Sequence, residues 1–215
     1  EAEVKIDQPR LWELNDPFLY RVTARVAWGK LPACQDTRPQ AGSLRHDCFT
    51  TSLRKATQVD ERSVRCGFRE FRFENGFFRL NGRRIFLRST HTCNHFPVGL
   101  KLPPDPDMAR RDLLDLKVMG FNIIRFIWGG AERYQLDLCD EIGLMVYEES
   151  YAAWLLADSP KMGERFDSSV AGMVRRDRNH PSVVIWGLQN EDFDGPVFRH
   201  AVESLALVRY FDDTR

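Results

Sequence analysis

Arg178-Asn179-His180-Pro181-Ser182-Val183-Val184-Ile185-Trp186-Gly187-Leu188-Gln189-Asn190-Glu191 runs from a basic helix end, through an Asn-His-Pro turn and a β-branched apolar run, to an amide and an acid side by side. Turn, strand and carboxyl group form one compact unit. Val183, Val184 and Ile185 show no alternation of apolar and polar residues, which predicts a parallel strand covered on both faces. In barrels of alternating strands and helices, the C-terminal strand ends carry the chemistry. Asn190 and Glu191 fall at such an end and are candidate site residues. Trp186 is expected to border Glu191, where an apolar neighbour would disfavour the charged carboxylate and suit it to general acid work.

Upstream, the order of strand then helix repeats, as in a parallel sheet wrapped by helices. Strands are predicted from Ile85 to Thr90, from Phe121 to Phe126, and from Leu144 to Tyr147, the last running into Glu148-Glu149. A first helix opens at Asp105-Pro106-Asp107, with an N-cap acid and a proline at the first helical position, and ends at Gly120. Its apolar face is expected to comprise Met108, Leu113, Leu114, Leu116 and Val118. Further helices are predicted from Ala131 to Ile142, from Ser169 to Arg178 and from Pro196 to Tyr210. Such an arrangement is half of an eightfold barrel, which takes about 250 residues when whole.

Ahead of the barrel, Glu3 to Ile6 and Leu19 to Val26 alternate as half-buried strands, and Phe49 to Leu53 and Ser63 to Cys66 supply further short ones. Gly29 to Asp47 has no periodicity and reads as a surface loop. A complete sandwich takes about seven strands, more than this region provides. Asn75-Gly76 and Asn81-Gly82 each sit between apolar or alternating runs, and both residues of such a pair tolerate the positive φ of a tight hairpin.

Asn179 to Trp186, ending in Asn190-Glu191, resembles the acid/base signature of glycoside hydrolase family 2, which includes β-galactosidases, β-glucuronidases and β-mannosidases. Leu11-Trp12 and Pro17-Phe18-Leu19-Tyr20 are similar to the immunoglobulin-like domain that precedes the barrel in that family. Gly67-Phe68-Arg69-Glu70 and the two hairpins resemble the junction between them. The resemblance implies a multidomain fold: a partial immunoglobulin-like β-sandwich over residues 1–69, then the first half of a (β/α)8 TIM barrel over residues 70–215.

It also implies roles. Glu191 would be the proton donor and Asn190 would contact the sugar 2-hydroxyl. The mechanism would be retaining, with two carboxyl groups about 5 to 5.5 Å apart. The nucleophilic Glu would lie on a seventh strand, outside these residues. Arg125 matches an arginine that reaches the nucleophile and keeps it ionised. Trp128-Gly129-Gly130 resembles the β-mannosidase branch, and Trp128, Tyr151 and Trp154 are candidates to stack on sugar rings. Glu149, with Glu148, is expected to contact substrate or hold the charge network. Many members read Arg-Gly-x-Asn-x-His-Glu at the end of the first barrel strand. Here Arg88-Ser89-Thr90-His91-Thr92-Cys93-Asn94-His95 stands instead, leaving His91 or His95 as substitutes.

Lys and Arg balance Asp and Glu at 31 each, so no long-range field favours nucleic acid or an anionic membrane. The expected partner is a carbohydrate substrate, with a homo-oligomer left open for the full-length protein. The five cysteines lack CxxC spacing and read as reduced thiols, in keeping with a cytoplasmic protein. No cofactor is expected. No metal is expected either: His91, Cys93 and His95 alternate on a strand, but zinc usually takes four ligands. The expected activity is that of an exo-β-glycosidase, with the 215-residue chain alone inactive. The alternative is a carbohydrate-binding or structural module without catalysis.

Overall fold

The computed structural model describes residues 4–28, 58–96, 99–100, 105–152 and 156–215. The predicted strand at Phe49 to Leu53, the loop from Gly29 to Asp47 and Trp154 lie outside the described residues, as does Glu3. Two compact units emerge, one of residues 21–65 and one of residues 1–20 with 66–215.

The smaller unit is built on β1 (Tyr20–Trp28) and β2 (Gln58–Cys66), which pair as a two-stranded sheet. Thr23 meets Ser63 at 2.8 Å between hydroxyls, and Arg25 meets Glu61 at 2.5 Å, so the partners run in opposite senses. Alternation over Leu19 to Val26 predicted β1. The same signal failed at residues 4–6, which form no strand. Val4 and Ile6 are exposed there, and alternation without a partner sheet buries nothing.

In the larger unit, β3 (Phe71–Glu74), β4 (Phe77–Leu80) and β5 (Arg83–Ile85) form an antiparallel sheet. Its turns are Asn75-Gly76 (φ 52° and 80°) and Asn81-Gly82 (φ 51° and 75°), the two positive values that the Asn-Gly pairs predicted. Ile85 belongs to this sheet, paired with Phe78, rather than to the first barrel strand. That strand is β6 (Ser89–Thr92). The chain crosses between the sheets at 86–88, where the Asn122 side chain bonds both Phe86 O and Arg88 N at 2.8 Å.

β6, β7 (Ile123–Phe126), β8 (Met145–Glu149) and β9 (Val183–Gly187) make a four-stranded parallel sheet in sequence order. Around it lie α1 (Pro106–Val118), α2 (Arg133–Ile142), α3 (Met162–Asp177), α4 (Pro196–Glu203) and α5 (Leu205–Phe211). Asp105 caps α1 by accepting from Met108 N at 2.6 Å. Of its predicted apolar face, Leu113 is buried, but Leu114 and Val118 are exposed and Ala109 takes their place in the core. α3 starts seven residues before the predicted Ser169, because its N-cap Lys161 makes no side-chain cap bond and offers no start signal. The single predicted helix at the end of the chain breaks at Ser204, whose Oγ donates to Asp167 Oδ1 at 2.6 Å.

Alternation sorts the sheet into two faces. Ile124, Phe126, Val146 and Val183 pack under α1 and α2, whereas Ile123, Met145 and Val184 face inward. The inward set is closed off by Trp12, Phe71 and Leu80. Trp12 Nε1 donates to Asp140 O at 2.8 Å, and the Asp140 carboxylate takes Ser182 N at 3.0 Å and His180 Nδ1 at 2.6 Å. The Asn-His-Pro turn is thereby pinned to the N-terminal end of the sheet. The opposite, C-terminal end carries Arg125 and Glu149 and, just past β9, Asn190 and Glu191. Among the described residues, no helix is long and apolar enough to cross a membrane.

Candidate active site

The C-terminal ends of β7, β8 and β9 bring Arg125, Glu149 and Asn190 together. Arg125 stands inward on β7, in register with Tyr147 of β8 and His91 of β6. Its Nε donates to Glu149 Oε2 at 2.8 Å and its Nη2 donates to Asn190 Oδ1, also at 2.8 Å. Its guanidinium lies 5.0 Å from the Tyr147 ring centre. One side chain from β7, one from β8 and one from the segment just past β9 are thus locked as one charged, hydrogen-bonded group. Glu149 is fully buried, and its other oxygen accepts from Trp128 N at 3.1 Å.

Beyond β8 and β9 the two chains keep close company. Ser150 N bonds Gly187 O at 3.0 Å, Ser150 Oγ bonds Leu188 O at 2.6 Å, and Asn190 N bonds Ala152 O at 3.1 Å. Asn190 is buried by these contacts. Glu191 follows it in the left-handed region, φ 53°, and is exposed. A buried amide thus anchors the backbone while the next carboxyl group is free to meet a ligand. Strain of this kind is tolerated where neighbours over-determine the conformation, and it clusters at functional sites.

Trp186, expected to border Glu191, turns away from it. β9 has an irregularity opposite Val146 and Tyr147: Val183 pairs with Val146 but Ile185, not Val184, pairs with Tyr147. One extra residue shifts the facing of everything after it. Trp186 therefore packs among the helix-side clusters and donates Nε1 to Asp212 Oδ2 at 2.9 Å. Gly187 then falls beside Tyr147, whose ring occupies the space a side chain at 187 would need.

Of the other residues singled out, Trp128 is 37% exposed and has φ 51°. His95 approaches it edge-on, with ring centres 6.5 Å apart. His91 is exposed beside Arg125 in the register of the sheet. Tyr151 is exposed against Gly129. Asp137, Asp140 and His180 place ligand atoms within 4.8 Å of one another, yet both Asp140 oxygens are already hydrogen-bonded. Tyr147, which supports Arg125, escaped sequence reasoning. Simple alternation along 145–149 would have put it on the same face as Glu149.

Glu148, adjacent to Glu149, points to the helix side. It is fully buried, and Oε1 accepts from Ala131 N at 2.9 Å. Burial, with Asp177 close by, pushes its carboxyl group up to about 8; the Ala131 N–H and Arg176 work the other way. Arg176 gives little relief. It sits on Asp177 at 2.7 to 2.9 Å and only 3.4 Å from Glu148.

Residues 71–215 match the model for "Glycosyl hydrolases family 2, TIM barrel domain". Over 199 residues the chain is 31% identical to beta-galactosidase 2 of Enterobacter cloacae, aligning 89% of this chain with 17% of that protein. The solved beta-glucuronidase of Parabacteroides merdae is similar over the whole chain, at 28% identity and a TM-score of 0.77, with 25% of that enzyme covered. A family 2 beta-galacturonidase from Eisenbergiella tayi, solved with galacturonate, matches at 25% identity and a TM-score of 0.75, over all of this chain and 34% of that one. The chain thus spans about a third or less of the relatives it matches.

Proposed function

The chain belongs to glycosyl hydrolase family 2, and from that we propose that it supplies the acid/base half of a retaining exo-β-glycosidase. The substrate would be a terminal β-linked sugar of the galactoside, mannoside or glucuronide class. Glu191 protonates the glycosidic oxygen and then, as carboxylate, activates water to release the sugar from a nucleophile supplied beyond the four strands described here. Residues 1–69 belong to an immunoglobulin-like sandwich, and 70–215 to the first half of the barrel.

One observation carries this reading. Asn190 is held by Arg125 and by Ala152 O, and the next residue, Glu191, is exposed just past the C-terminal end of β9. Arg125, Trp128, Glu149 and His91 surround that end and serve as substrate contacts or their supports, with Asn190 on the 2-hydroxyl. Trp154 is a further candidate contact.

The test is a Glu191→Gln variant of the protein as its gene encodes it, assayed on aryl and alkyl β-glycosides. Activity should fall chiefly on alkyl substrates, whose leaving groups need protonation. Full turnover of those substrates would refute the assignment. Sugar binding by the wild type without hydrolysis would favour a binding module instead.

A further inference from the structure

Two neighbouring acids hold the two ends of one loop. Glu149 accepts from Trp128 N on the inward face of β8, and Glu148 accepts from Ala131 N on the helix face. Between these two anchors lie Gly129 and Gly130, with φ 138° and 67°. Arg176 of α3 completes the hold by donating Nη2 to Ala131 O at 2.8 Å. The loop approaches Glu148 so closely that a Cβ at position 130 would stand 2.7 Å from Glu148 Oε1. Glu148, 0% exposed and with Oε2 unpartnered, could serve burial better as an apolar residue. What offsets the cost of burying it here is its bond to Ala131 N and the nearby Arg176 guanidinium.

We infer that Glu148 is a positioning residue: with Arg176 it clamps the Trp128–Ala131 loop from the helix side while Glu149 clamps it from the inward side, fixing Trp128 at the mouth of the sugar site. That the mouth is a sugar site rests on the reading above; the clamp itself does not. A loop containing two glycines has many conformations available. Without the Ala131 anchor, the two glycines would let the backbone at Trp128 leave its left-handed conformation. Held at both ends, the loop keeps Trp128 in its left-handed backbone conformation. The groups that face Glu148 are Ala131 N and Glu132 from the loop, Arg176 and Asp177 from α3, and Cys139 from α2. Its own neighbour Glu149 faces away from it, towards Arg125.

The experiment uses the protein as its gene encodes it, with Glu148→Ala and Glu148→Gln compared to wild type. Amide exchange is followed over residues 128–131 and over β8, and hydrolysis of an aryl β-glycoside is followed in parallel. Glu148→Ala should speed exchange at residues 128–131 roughly tenfold or more, leave β8 unchanged, and raise KM with little change in kcat. Glu148→Gln keeps an acceptor for Ala131 N and should restore both. Should Glu148→Ala fail to fold, Gly130→Ala provides the same disruption from the loop side and is expected to give the same exchange pattern. Unchanged exchange at 128–131 in whichever variant folds overturns the clamp. An inactive wild type refutes the glycosidase reading, but the exchange result still decides the clamp.

Discussion

Glu148 and Glu149 are consecutive residues whose carboxyl groups lie on opposite faces of one strand, each buried and each bonded to a backbone N–H of the same loop. Their environments differ in the cation each meets. Glu149 has Arg125 at 2.8 Å, whereas Glu148 competes with Asp177 for Arg176. Glu149 therefore has a guanidinium to itself on the inward face, whereas Glu148 shares one with a second acid on the helix face.

Glu148 should therefore give stability a pH dependence. Its folded-state carboxyl group is raised to about 8, above the usual 4.5, so the folded protein holds a proton that the unfolded chain releases. This contribution is fully present below about pH 4.5, declines as pH rises, and is exhausted above about pH 8. The limiting slope for one group is about 1.4 kcal/mol per pH unit. Urea midpoints of wild type should fall between pH 5 and 8 more steeply than those of Glu148→Gln. Parallel pH profiles for the two proteins would contradict the prediction.

Removing Arg125 leaves Glu149 buried without its counter-charge and Asn190 Oδ1 without its donor. Breaking a buried pair at one partner costs about 3 to 5 kcal/mol, reduced here because the Arg125 side chain is 29% exposed. We expect Arg125→Met to lose roughly 2 to 3 kcal/mol in urea denaturation, with Glu149→Gln recovering part of it in the double variant. A loss within the noise of a surface substitution would mean the pair contributes nothing.

Gly187→Ala places a methyl group into the Tyr147 ring. Overpacking of this kind costs typically about 1 to 3 kcal/mol, and the ring that it displaces supports Arg125. The cost should shrink when Tyr147→Ala is made as well, because the two positions share one space. Strict additivity in that double-mutant cycle would show that the clash is relieved elsewhere.

The two Asn-Gly turns offer an internal control. Asn75 is exposed, but Asn81 accepts from Glu70 N at 2.9 Å and donates to Trp12 O at 3.0 Å. Each net hydrogen bond contributes about 1 kcal/mol. Asn81→Gly should cost about 1 to 2 kcal/mol by thermal or urea melts, and Asn75→Gly well under half of that. Equal losses would remove Asn81 from the contacts that tie Trp12 to the hairpin.

Local signals marked the Asn-Gly hairpins, the capped start of α1, the alternation of β1 and the apolar run of β9, because each depends on backbone geometry within a few residues. They also placed Asn190 and Glu191 at a strand end. They could not fix where β5 stops and β6 starts, since Ile85 is apolar in either sheet and only its pairing with Phe78 decides. The uncapped start of α3 was illegible for a related reason: its first turns are held by packing of Met162 and Phe166 rather than by a cap.

The repeating order of strand and helix, and the acid beyond the Asn-His-Pro strand, were settled by the chain's own pattern, because side-chain period and turn chemistry are local properties. Tertiary structure alone decided which acid meets which cation, and turned Trp186 from the site to the helices through one irregular residue in β9. Those outcomes depend on register between strands distant in sequence. A shift of one residue there exchanges the two faces of the sheet.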